Sequence, residues 1–133
     1  MNLSTGLILL GLLVGAILVV TLVSTTTPTR PEIVAIEFPE KIDADGSEVL
    51  GTVKFRDREG DIVLAEFKVI EAQAFESFSF DPEVRGQKEG SFQFYVFTIL
   101  PQRVTLEVTL VDRQGHRSVP KRFSFEAELS LEF

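Results

Sequence analysis

Acidic side chains at alternate positions can chelate a hard cation, and the stretch 57–61 offers Asp57, Glu59 and Asp61 in that spacing, with "DADG" (43–46) as a second acidic group. Calcium takes about six to eight oxygen ligands. Against a site stand Arg56 and Arg58, interspersed among the acids, and the absence of the loop pattern that closes on a bidentate Glu. The expectation is therefore no metal and no cofactor. The only histidine, His116, shares one loop with Asp112 and Ser118, the three residue types of a hydrolytic triad. A triad needs three groups converging from a scaffold beside a pocket and oxyanion donors. One polar loop supplies neither, so these residues read as the solvated lining of a turn. The chain has no cysteine, which removes thiol nucleophiles, thiolate metal sites and disulfides together. No glycine-rich phosphate loop runs from a strand into a helix. The chemistry points to a protein that is not an enzyme.

The acids and the histidine loop share a motif, because Asp-Arg-Glu-Gly (57–60) is echoed by Asp-Arg-Gln-Gly (112–115). An Asp at the first position of a turn accepts a hydrogen bond from the backbone two residues on, two residues follow in right-handed conformation, and Gly supplies the positive φ that ends the bend. The repeat is thus explained as one bend used twice. A functional reading depends on where the flanking strands deliver these bends. If both emerge at one end of the fold with "DPEVRGQKEG" (81–90), that end gathers the acids Asp57, Glu59, Asp61 and Glu83. Beside them would stand Arg58, Arg85, Lys88, Arg113, His116 and Arg117, a mixed-sign pole suited to a protein or glycan partner. A bend of this length ordinarily closes a hairpin within one sheet, and a hairpin at 57–60 would weaken that grouping.

From Glu32 onward the pattern has period two. In "RFSFEAELSLEF" (122–133), Phe123, Phe125, Ala127, Leu129, Leu131 and Phe133 alternate with polar residues. In "VTLEVTLVD" (104–112), Val104, Leu106, Val108 and Leu110 share one face. The stretch 48–57 turns Val49, Gly51, Val53 and Phe55 inward, and 61–72 does the same with Val63, Ala65, Phe67 and Val69. Further strands are expected at 32–38, 75–80 and 91–100, which makes seven in all. Twelve Phe against one Tyr and no Trp suit a packed core. Seven short strands with a turn every 8–12 residues predict an all-β, seven-stranded antiparallel sandwich over 32–133.

The chain's beginning is a different material. Residues 1–29 carry no charge, so the net charge of -7 belongs entirely to 30–133. The apolar run 6–23 would reach about 27 Å as a helix, close to the thickness of a bilayer's hydrocarbon core. A retained transmembrane anchor over 1–24 competes with a cleaved signal peptide. The anchor is favoured because no Lys or Arg precedes the run and the run is long for a signal. Gly11 and Gly15 form a GxxxG pair, a helix-packing surface that would bring two copies together as a homodimer. Residues 25–31 read as a Thr/Pro stalk that holds the domain away from the membrane. Arg30 favours a cytoplasmic domain by the positive-inside rule, the stalk an extracytoplasmic one, and the second is expected. An acidic balance with scattered cations excludes nucleic acid as a partner.

By strand number, spacing and the stretch "VTLEVTLVDRQGHRS" (104–118), the segment 32–133 resembles the immunoglobulin-like and fibronectin-type-III-like domains of bacterial and archaeal surface proteins. It has no Cys-Trp-Cys pattern, so the antibody subclass is not implied, and Tyr95 does not fall where an aromatic corner would place it. The resemblance implies a membrane-anchored, non-enzymatic domain that binds a protein or glycan at the cell envelope. The alternative is a structural or accessory subunit of a surface filament. The apolar helix followed by a β-domain resembles pilin-like and archaellum-associated proteins, although no Lys-Gly or Arg-Gly processing site precedes the run.

Overall fold

The computed structural model describes residues 29–130. Eight strands follow in order: β1 (Glu32–Glu37), β2 (Lys41–Asp43), β3 (Val49–Arg56), β4 (Ile62–Glu71), β5 (Phe78–Phe80), β6 (Glu89–Val96), β7 (Gln102–Asp112) and β8 (Lys121–Glu128). They form two sheets, ordered β1-β3-β6 and β2-β8-β7-β4-β5. The fold is all-β, as the alternation predicts, and no helix among the described residues is long and apolar enough to cross a membrane. The run 6–23, Gly11, Gly15, Leu131 and Phe133 lie outside the described residues.

Alternation places the core. Val104, Leu106, Val108 and Leu110 of β7 are fully buried, as are Val53 of β3 and Ala65 of β4. Phenylalanines from both sheets meet between the layers: the Phe67 and Phe94 ring centroids lie 4.8 Å apart, and Phe38 stands 5.0 Å from Phe125. Burying each such ring stabilises the fold by about 1.5–3 kcal/mol. Gly51 makes room for the centre of this layer. It faces Phe94 across the β3–β6 ladder, and a Cβ there would fall 2.2 Å from the ring.

Several expectations are corrected. The sandwich has eight strands rather than seven, and it is not wholly antiparallel, because β2 pairs in parallel with β8. The cause is Pro39: without an N–H it cannot extend the β1 ladder, and the chain leaves the first sheet there and joins the edge of the second. In β4 a bulge between Ile62 and Leu64 shifts the phase, so Ile62 enters the core while Val63 stays half-buried. The expected strand at 75–80 shortens to β5, and the one at 91–100 becomes β6. Finally, β8 stops at Glu128, and Leu129 and Ser130 lie outside it. Its partner β7 begins at Gln102, just after Pro101, so the β7 ladder ends at Ala127 while β2 pairs as far as Glu128. Leu129, expected inward, is 64% exposed.

Candidate functional site

The topology sends the three charged loops to one end. Residues 57–61 do not form a hairpin, since they carry the chain from β3 in one sheet to β4 in the other. Residues 81–88 cross between sheets as well, whereas 113–120 join β7 to its neighbour β8. Backbone hydrogen bonds stitch the loops together: Gly86 N–H donates to Gly60 O at 2.7 Å, Asp57 N–H to Lys88 O at 2.8 Å, and Arg113 N–H to Asp61 O at 2.9 Å. Two crossovers and one hairpin thus bring the three loops together at one pole.

The pole's side chains do not all remain free. Arg58, Glu59, Glu83, Arg85, Lys88 and Arg113 are exposed. Arg117 turns onto the sheet and donates to Glu66 of β4 at 2.8 Å, which holds the Glu66 carboxyl below its ordinary value. His116 Nδ1 lies 2.9 Å from Asp112 Oδ2, and Asp112 Oδ1 accepts from the backbone of Gln114 and His116. Ser118 Oγ accepts from Leu110 N–H at 2.9 Å. Each of the three triad-type residues is thus held in a structural bond, and Asp112 and Ser118 are buried rather than solvated as expected.

Asp57 and Asp61 are the unusual pair. Asp57 is 1% exposed, and its Oδ2 accepts from Asp61 N–H at 2.8 Å. Its Oδ1 has no partner, and neither does the buried Oδ1 of Asp61. Burial pushes the Asp57 carboxyl up to about 6; the Asp61 N–H opposes this, while the nearby Asp61 and Glu59 carboxylates add to it. Arg56 and Arg58, expected to stand among these acids, both point to solvent. The second acidic group is elsewhere. Asp45 accepts from Ser47 in a local turn, at the end of the sandwich where Asp43 pairs with Glu128.

The chain itself enters at the charged pole. Glu32 pairs with Arg56, and the Thr29 hydroxyl donates to the Glu59 carboxylate. The opposite end carries a feature that sequence reasoning missed, a cleft of about 770 Å³ with Phe75, Phe78, Tyr95, Phe97, Ile99 and Leu100 in its wall. Phe97 is 60% exposed and Ile99 79%. The cleft opens between β5 and β6, the last strands of their respective sheets. Its signal was the run Tyr95–Leu100, nearly unbroken apolar residues where a loop before Pro101 should turn polar.

No family model matches the chain, and no curated protein matches it in sequence. In three dimensions it is similar to a PKD domain of an M14-like peptidase from a Thermoplasmatales archaeon, at a TM-score of 0.59 and 12% identity, over 76% of this chain and 98% of that one. It is also similar to a superoxide reductase (neelaredoxin) from Ignicoccus hospitalis, at a TM-score of 0.54 and 18% identity, over 80% of this chain and 86% of that one. At such identities a likeness speaks for architecture alone, and the two neighbours bear unrelated names. The described residues form an immunoglobulin-like β-sandwich, with its first strand divided between the two sheets.

Proposed function

We propose that the chain is a membrane-anchored, non-enzymatic interaction module of the cell envelope, held by residues 6–23 with the sandwich outside, and that its partner is a protein bound at the cleft. The observation that carries this reading is the opposition of the two ends. An anchor preceding Thr29 would turn the charged pole toward the bilayer, because the chain enters the domain there. The cleft would then face outward. Its wall is aromatic and aliphatic, with Glu76 its one charged member, so it offers few groups to the hydroxyls of a glycan and suits apolar side chains of a protein.

A photo-crosslinking residue at Ile99, and in a second protein at Arg113, tests the placement in intact cells. We expect capture of one envelope protein from position 99, lost with Phe97→Asp, and no such capture from position 113. Capture only from 113, or none from either, defeats the reading. Recovery of the full chain in aqueous extract rather than in the membrane pellet defeats the anchor separately. The filament-subunit alternative is favoured by one observation: β6 ends its sheet, leaving a strand edge beside the cleft for a neighbouring copy. In that case position 99 crosslinks the chain to itself.

A further inference from the structure

We propose that Asp57, Glu59 and Asp61 form a calcium site at the pole where the chain enters the domain. A ligand oxygen from each of the three lies within 4.8 Å of the others. An ion at about 2.4 Å from each oxygen spans that separation. Acidic clusters are common on protein surfaces, so the spacing alone carries little. The deciding observation is that Asp57 is 1% exposed with Oδ1 unpartnered, and that a second unpartnered buried oxygen, Asp61 Oδ1, belongs to the same cluster. Buried carboxylate oxygens are ordinarily satisfied, and one that is not calls for an explanation. Among the described residues, no ion pair within 4.0 Å reaches any of the three acids.

The loop is already shaped for the task. Asp57 N–H is tied to Lys88 O, Asp61 N–H to Asp57 Oδ2, and Gly60 is held against Gly86, so little ordering remains when an ion binds. The donors are all oxygens, which selects a hard cation. Asp57 and Asp61 supply the buried side, exposed Glu59 closes the solvent side, and water completes the shell. Calcium accepts such an irregular, partly hydrated set more readily than magnesium, which requires near-octahedral geometry. The Thr29 hydroxyl on Glu59 would couple the ion to the segment that leads into the domain.

The test uses the full-length chain in detergent micelles, stripped with EDTA and dialysed against calcium. We expect one calcium per chain and a melting midpoint that rises on binding and falls back with EDTA. Asp61→Asn and Glu59→Gln should each weaken calcium binding by about ten-fold or more, and the second change sits at an exposed position where the fold tolerates it. Asp45→Asn, in the turn at the other end, should leave binding unchanged. No bound calcium at millimolar concentration, preference for magnesium, or undiminished affinity in Glu59→Gln would overturn the site. The proposal concerns the domain alone, so it stands or falls apart from the anchor and the cleft.

Discussion

The two Asp-Arg-x-Gly bends share three of their four residues and diverge in what they leave unsatisfied. In each, the Gly N–H donates to the Asp carbonyl at 3.0 Å, the Gly has positive φ, and the Asp side chain is buried. At 112–115 the carboxylate is saturated: Gln114 N–H and His116 N–H reach one oxygen and His116 Nδ1 the other. At 57–60 the residue two beyond Asp is Glu59 and the one four beyond is Asp61, so the same carboxylate receives one N–H and two negative neighbours. Identical turn chemistry therefore produces a self-contained hairpin in one place and a charged, under-satisfied crossover in the other. The difference lies in the variable third position of the bend and in the residue that follows its glycine.

The largest effect expected on this contrast comes from Asp112→Ala, which strips the hairpin of its acceptor and should cost about 2–3 kcal/mol in urea unfolding. Next, the glycines separate the bends. Gly60→Ala should cost about 2 kcal/mol, because the left-handed φ is strained and the new Cβ meets the Gly86 backbone at 3.1 Å. Gly115→Ala, with open space around it, should cost only about 1 kcal/mol. The third prediction has the opposite sign. In EDTA, Asp57→Asn should stabilise the chain by about 1 kcal/mol, since it removes a buried charge and lets a carboxamide donate to Asp61 or Glu59. In saturating calcium the same change should destabilise it. A loss in both conditions would mean that Asp57 is as well satisfied as Asp112.

The smallest effect concerns the ion pair beside the hairpin. Arg117 lowers the Glu66 carboxyl from 4.5, so the folded state holds its charged form more firmly than the unfolded chain does. That contribution is present above the unfolded value and is lost as the pH falls through the lower folded one. Both groups are partly exposed, so the difference between wild type and Arg117→Ala should be below about 1 kcal/mol at neutral pH and vanish in acid.

Period-two alternation made the sandwich legible, because a half-buried strand needs little more than one apolar residue in two. It identified the inward faces of β3 and β7 residue by residue. It missed β2, which is three residues long and gains its place only from an edge of β8. It also overran β8, since Leu129 keeps the rhythm although β7 offers it no partner. The bends were legible as bends, because Asp and Gly set their own local geometry. Whether 57–60 joined strands of one sheet or two depended on register between distant strands, and so did the burial of Asp57. Interspersed Arg56 and Arg58 looked as though they would repel a cation. Both point to solvent instead, Arg56 from the last position of β3 and Arg58 from the turn that follows.

The parallel seam between β2 and β8 has a mechanical consequence. The chain comes in at one end of the sandwich and β8 leaves at the other. Tension between those ends would pull β2 and β8 lengthwise past each other, loading their cross-bonds in shear so that they yield together rather than one by one. A domain tethered by its first strand and gripped at its far tip would on this geometry resist stretching up to a sharp rupture force, and Pro39, where β1 hands over to β2, lies directly in the line of that force.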